Sequence, residues 1–480
     1  MSKLDRFIRA FGHRIGWNDA LRPWLFKDLP PRTGWTATLG ALSLMIFATM
    51  FVSGVFLAMH YNPSPDKAYQ SVDHIMNDVP GGWLLRGLHH WGASAMVIAV
   101  FLHMLTGFFT GAYKKPRELT WVSGVVLLLI VLGLGFTGYL LPWDLKAYWA
   151  TTVSTNIPKD IPLIGDFIAR LMLGGDDVSG ATLTRFYAVH AMLLPALLVA
   201  VLAFHIYLVR VHNIAEHPSE GETGEADANA ADAKPEKPNR FYPEHAWRST
   251  LVYAGGLIVL ILLAVYAHIP REQIAGTQVE DYLPRPEWYY MWLFQLLTYF
   301  PGKWEAVGSL AIPFVLVTLL FALPFLDRSR RFGVRNRPLP LAVGVTAIVG
   351  IGYLTMMGFA GAKPYGEIVP VPDRSLTASE SRGLQLFAQR ECSYCHQIDG
   401  QGGHRRGPDL SNMVAKDRTR QYLAQYVKDP QSIDPSSVMP KYDLPQPDLD
   451  ALADFMLALD FGKHGIKTVT RAQALDTANE

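Results

Sequence analysis

The only two cysteines of the 480-residue chain, Cys392 and Cys395, have two residues between them and His396 directly after. A redox dithiol or half of a zinc site would use the same spacing. Zinc takes four ligands, however, and no second cysteine pair exists. CxxC followed by histidine is the arrangement that attaches a c-type haem. Cys392 and Cys395 then form thioethers to the porphyrin and His396 offers a nitrogen to iron.

Further histidines lie inside apolar runs, where an ionisable residue is a functional candidate by default. His89 and His103 share one run, 14 residues apart, and His190 and His205 share another, 15 apart. Both spacings are about four helical turns, so the two histidines of a run share a face, roughly 21 Å apart in depth. If the two runs cross in the same direction, His89 meets His190 at one depth and His103 meets His205 at the other. A lone histidine would serve as a packing residue, whereas two pairs at matched depths suit two haems, each held by two histidines. Gly40 and Gly54, and Gly124 and Gly138, repeat the 14-residue spacing in neighbouring runs. Glycine lets a porphyrin edge approach the backbone, although glycine-mediated helix packing uses the same residues.

These residues need a membrane scaffold. Half of the chain is apolar and only 18% is charged, with a net charge of +1 that gives no field for nucleic acid. Apolar runs long enough to cross a bilayer occupy 36–59, 84–111, 120–141, 186–209, 248–268, 308–326 and 340–360. The fold class expected is all-α: a bundle of about seven spans with a small α-helical domain behind it. Residues 1–35 read as a basic amphipathic surface segment and not as a cleaved signal. The basic loops 113–118 and 327–337 place the N-terminus in the cytoplasm, and everything after 361 outside. Bacteria attach haem to CxxCH outside the cytoplasm, so motif and topology agree. Two breaks divide the chain. Residues 213–246 hold an acidic, alanine-rich linker (216–239) expected to be disordered. It separates a four-span part, 36–212, from a three-span part, 247–361. The Pro-rich stretch 362–373 then leads to a domain at 374–480.

The segments "GWLLRGLHHWGAS", "TGAYKKPRELTWVSGV", "GYLLPWD" and "LTRFYAVHAMLLP" resemble cytochrome b of the quinol–cytochrome c oxidoreductases, and "PRPEWYYMWLFQLL" resembles that family's quinol-oxidation motif. The likeness covers about 17–360, and the tail is similar to class I cytochromes c. The 15-residue His190–His205 spacing and seven spans are similar to the photosynthetic, split type, here joined by the linker. Such relatives carry a first-span cysteine that tethers an extra haem. Thr38 stands at that position, so that covalent haem is expected to be absent.

The resemblance implies an outer quinol pocket lined by Pro286, Glu287, Trp288 and Tyr289, with Glu287 accepting a quinol proton. Without the flanking aromatics, Glu287 would read as a helix-capping or surface residue. Residues 141–153 would form a surface helix and the pocket's other wall. One electron would go to a high-potential chain and one inward through two haem b, on His89/His190 and His103/His205, to quinone. Arg86 and Arg117 suit pairing with haem propionates or anchoring at the membrane boundary. For the c haem, Met439 in "SSVMPKY" is the expected sixth ligand, followed by proline as in related cytochromes c. Met413 and His404 are rivals, and Met456 fits a core pattern. Implied partners are a Rieske iron–sulfur subunit, a downstream cytochrome or oxidase, membrane lipid and a second copy in a homodimer; nucleic acid is not one. The expected place is the bacterial inner membrane, multi-pass. The competing reading is a haem relay anchoring a dehydrogenase without split quinol oxidation. A transporter with an appended sensor haem has no account of the paired histidines.

Overall fold

The computed structural model describes residues 25–30, 33–214, 239–275, 285–300, 304–329, 331–360, 368–390, 392–399, 407–434, 437, 439–460 and 465–476. The expected N-terminal surface helix, most of the acidic linker and His404 lie outside them. Seven helices are long and apolar enough to span a membrane: Trp35–Ala58, Gly82–Thr110, Glu118–Tyr139, Gly180–His212, Phe241–Tyr266, Val307–Leu326 and Pro338–Ala360. The chain forms two compact units, Met1–Gly276 with Leu310–Ile351, and Thr277–Ser309 with Gly352–Glu480.

In the first unit the opening span packs on the second, the third on the fourth, and the fifth on the first and second. Glycine and proline set the ends and breaks of these helices. The second span starts after Gly81 (φ 73°) and stops at Gly111 (φ 78°), left-handed positions that glycine adopts without strain. The fourth span starts at a capping box of Ser179 and Thr182. It then widens into a π-turn, Val189–Leu193, that carries His190. Pro195 has no N–H to return to the carbonyl four residues back, which favours the wider turn there.

The two ends of this unit are each tied by polar contacts. At one end the 113–118 loop meets the 327–337 loop. Lys114 Nζ donates to the Ser329 and Arg331 carbonyls (2.7 and 2.8 Å), and Arg337 Nη1 donates to Phe108 O (2.7 Å), closing the second span. At the same end Lys27 donates to the Arg210 carbonyl, and Asp28–Leu29 pairs with Asn239–Arg240. The opposite end holds the helix Ala68–Asn77 and the segment Leu145–Leu173, where Leu145 N–H donates to Gln273 O (2.8 Å). The two basic loops therefore share a face, as the charge bias requires. Residues 141–153 yield the helix Leu145–Asn156, capped by Asp144, whose carboxylate accepts Ala147 N–H at 2.9 Å.

The second unit contains the short helix Trp288–Thr298 and the C-terminal domain. In that domain Ala378–Gln389, Arg420–Lys428 and Gln446–Ala458 enclose Leu384, Phe387, Leu449, Leu452 and Phe455. One boundary needs correction. The Pro-rich stretch is not all linker, because Ile368–Pro372 forms a strand antiparallel to Ile466–Thr470, with Ile368 opposite Thr470. Val369 and Val371 are buried in the domain core, so the domain begins at about residue 368 rather than 374. Alternation of valine and proline hid a strand: proline reads as linker, yet it is tolerated on an edge strand.

Candidate functional site

The paired histidines meet as their spacing requires. The ring centroids of His89 and His190 lie 6.2 Å apart, and those of His103 and His205 lie 6.5 Å apart. A first-row metal sits about 2 Å from an imidazole nitrogen, itself about 1.1 Å from its ring centre, so two rings sharing one metal lie roughly 6 Å apart. Both pairs fit a six-coordinate iron between two imidazoles.

The glycines do something more specific than admit a porphyrin edge: they face the imidazoles themselves. A Cβ at Gly40 would lie 3.1 Å from His103 Cε1, at Gly54 3.1 Å from His89 Cε1, at Gly124 3.4 Å from His205 Cε1, and at Gly138 2.5 Å from His190 Cε1. Spans one and three thus press bare backbone against the histidines of spans two and four.

Ring orientation is set by partners that spacing alone did not identify. Ser53 Oγ donates its one proton to the Thr49 or Met50 carbonyl (2.8 and 3.1 Å), so at 3.0 Å it accepts from His89 Nδ1–H. Likewise Ser123 Oγ donates to Thr120 O (2.9 Å) and accepts from His205 Nδ1–H at 2.9 Å. His190 Nδ1–H donates to Leu134 O at 3.0 Å, with Thr137 Oγ1 at 3.3 Å. In each case the proton resides on Nδ1, leaving the Nε2 lone pair for a metal.

Arg86 lies one turn before His89 and within electrostatic range of Asp144. Arg117 donates from Nε to the Asn213 carbonyl (3.0 Å), tying the start of span three to the end of span four.

In the second unit His396 Nδ1–H donates to Pro408 O at 2.8 Å, again freeing Nε2. Burial holds this imidazole below its ordinary value and so neutral, the form that ligates. Cys392 and Cys395 are thiols not joined in a disulfide, half-buried, on the turn preceding it. Met413 and Met456 are buried in the core, whereas Met439 is only partly buried at its edge. Of these three methionines, Met439 is the least enclosed, packing against the core from its edge. The residues fit a covalently attached haem.

Glu287 occupies the N-cap of Trp288–Thr298 but makes no capping hydrogen bond with its side chain. The bland reading of it as a cap therefore fails. Burial first, then Tyr290 and the Glu287 charge, push the Tyr289 phenol up, so it stays a neutral hydrogen-bonding group.

Residues 27–213 match the family described as cytochrome b/b6/petB, residues 284–372 the family cytochrome b(C-terminal)/b6/petD, and residues 380–460 the family cytochrome c. The chain is 33% identical over 350 residues to a protein named cytochrome b/c1 from Bradyrhizobium diazoefficiens, covering 71% of this chain and 48% of that one. It therefore spans about half the length of that relative. It is 31% identical over 375 residues to a cytochrome b of Rickettsia conorii, covering 76% of this chain and 89% of that one. Among solved structures it is similar to a chain of a hyperthermophilic respiratory Complex III, with a TM-score of 0.66 and 29% identity, covering 73% of this chain and 91% of that one.

Proposed function

The chain belongs to the cytochrome b family with a cytochrome c domain fused behind it, and from that premise we propose that it is the b/c subunit of a bacterial quinol–cytochrome c oxidoreductase. The observation that carries this reading is the pair of imidazole pairs, one at each depth of the bundle, 6.2 and 6.5 Å between ring centres. A passive membrane anchor would not need the Pro286-Glu287-Trp288-Tyr289 segment, whose carboxylate is not spent on capping its own helix.

His89 and His190 hold one haem b near the outer face, His103 and His205 hold a second near the cytoplasmic face, and Cys392, Cys395, His396 and Met439 hold haem c. These groups supply one-electron exchange, with methionine ligation raising the potential of the c site. Glu287 accepts a proton from quinol and, by rotation, delivers it to outer water. Tyr289, neutral, donates or accepts a hydrogen bond beside it. Arg86 offers a guanidinium next to the outer pair. Protons are released outside and taken up at the cytoplasmic face, so the reaction adds to the proton gradient.

Splitting two electrons requires a high-potential acceptor that takes only one. The family uses a Rieske cluster, held by two cysteines and two histidines. Both cysteines of this chain belong to the His396 site, so a separate Rieske subunit must bind the outer face. A haemochrome spectrum of the purified chain is expected to show two b haems per c haem, and quinol–cytochrome c turnover is expected only once that subunit is added. A chain that binds no b haem, or full inhibitor-sensitive turnover by the chain alone, would overturn this reading.

A further inference from the structure

Three of the four paired histidines face a glycine preceded by a hydroxyl residue: Ser53-Gly54 for His89, Ser123-Gly124 for His205 and Thr137-Gly138 for His190. The fourth breaks the rule, because Gly40 opposite His103 follows Leu39. Among the described residues His103 has no counterpart to the Met50, Leu134 and Thr120 carbonyls that lie beside Nδ1 of the other three.

We propose that Ser53, Ser123 and Thr137 are positioning residues that hold the Nδ1–H of their histidines and thereby tune the potential of each site, and that His103, where Leu39 replaces the hydroxyl residue before Gly40, lacks this control. This rests on the reading that the pairs bind haem. An acceptor on Nδ1–H moves electron density toward Nε2, which favours the oxidised state of a bound metal. The outer pair has this on both rings, with His89 on Ser53 and His190 on Leu134 O and Thr137. The inner pair has it on His205 alone. The missing acceptor at His103 therefore contributes to the difference in potential between the two sites.

The test is a redox titration of the membrane-embedded full chain, followed in the b-haem absorbance. Ser53→Ala is expected to favour reduction of the outer haem roughly three- to tenfold, an upward shift of about 30–60 mV, with the inner haem unmoved. Ser123→Ala moves the inner haem instead. Ser53→Thr, which keeps the hydroxyl, restores the original value. If the alanine variants leave both potentials in place, or the threonine variant behaves like alanine, the hydroxyls are packing groups and the proposal falls. If alanine costs the haem altogether, rescue by threonine supports the proposal and loss in both overturns it. A wild-type chain with no b haem would sink the functional reading instead.

A second feature lies near the C-terminus, and for it we infer that residues 465–476 form a strap that holds the first strand of the cytochrome c domain, Ile368–Pro372, in place. Gly465 O accepts from Asp373 N–H (2.6 Å), Ile466–Thr470 pairs with Ile368–Pro372, and Arg471 Nε donates to Ala388 O (3.0 Å). Ala474 is fully buried in the core. The ladder is weak by itself: Pro370 and Pro372 cannot donate, and a two-stranded ribbon is marginal in water.

A full-chain variant ending at residue 464, and Ala474→Asp in the complete chain, are examined by hydrogen exchange and limited proteolysis. Loss of protection at 368–372 with new cleavage in 368–376, while Ala378–Gln389 stays protected, supports the strap. Unchanged protection at 368–372, or collapse of the whole domain in both variants, overturns it. Neither outcome depends on electron transfer, so the strap and the proposed redox role stand or fall separately.

Discussion

Replacing each of the four site glycines by alanine should damage the haem sites in an order set by geometry. The new methyl would lie 2.5 Å from His190 Cε1 in Gly138→Ala, 3.1 Å from His89 or His103 in Gly54→Ala and Gly40→Ala, and 3.4 Å from His205 in Gly124→Ala. Carbon contacts are comfortable from about 3.5 Å, so the overlap is about 1 Å at Gly138, a few tenths at Gly54 and Gly40, and nearly nil at Gly124. The His190 ring has little freedom to yield. Its Nδ1–H is held at 3.0 Å by Leu134 O, one turn along the same helix as Gly138. Overpacking of this kind costs about 1–3 kcal/mol, and about 1.4 kcal/mol is tenfold in an equilibrium. Haem retention at the outer site should therefore fall roughly 5- to 150-fold in Gly138→Ala, little in Gly124→Ala, and by intermediate amounts in the other two. A haemochrome spectrum reads this directly as the ratio of b to c haem, which should halve in Gly138→Ala. If Gly124→Ala lost a b haem while Gly138→Ala kept both, the rings would not be where the geometry puts them.

Changing both Cys392 and Cys395 to Ser should abolish the haem-stained band on a denaturing gel and leave the b-type spectrum intact; a surviving covalent band would refute the attachment site. Glu287→Gln should slow quinol oxidation about 10- to 100-fold at unchanged haem content, the scale of losing a general base, and unaltered turnover would assign that carboxylate to structure. Asp327→Asn should loosen the tie between spans two, six and seven. Asp327 Oδ2 accepts from Tyr113 (2.6 Å) and Arg337 (2.7 Å) and lies 3.3 Å from Lys114 Nζ. Lys114 and Arg337 keep their carbonyl acceptors but lose the carboxylate's charge, which costs about 1.5–3 kcal/mol and which a thermal melt of the solubilised chain should report as a drop. The same tie predicts acid sensitivity. Burial alone would raise the Asp327 carboxyl, but the hydrogen bonds from Tyr113, Ser329 and Arg337 and the Lys114 charge outweigh it and hold it well below the usual range. A depressed carboxyl stabilises above its unfolded pKa of about 3.9 and loses that contribution as pH falls toward its folded value. Wild type should therefore lose stability below about pH 4 more steeply than Asp327→Asn, and parallel acid curves would count against the tie.

Spacing carried the bundle and both histidine pairs because periodicity in a membrane helix is nearly deterministic. Fourteen or fifteen residues return a side chain to the same face, and hydropathy locates the helix within two or three residues where no polar segment continues it. It failed at the start of span five, which begins at Phe241 and not near 248, and at the start of span four, which begins at Gly180 and not near 186. There Ser179-Gly-Ala-Thr182 is a capping box whose polarity hides a helix start. The His–glycine partnerships were half legible. The 14-residue repeat is visible and implies a close approach, but a sequence does not say which neighbour a bare backbone faces. The hydroxyl before three of those glycines was on the page as Ser-Gly, Ser-Gly and Thr-Gly, and its meaning needed the distances to Nδ1. The ribbon of the c domain was least legible, since Ile368 and Thr470 are 102 residues apart and no local pattern links them. What can be read locally is that the stretch spaces Val369 and Val371 two apart, the period that puts both on one strand face. A Pro-rich stretch that keeps its valines in that period has a core to return to, and here the end of the chain completes it.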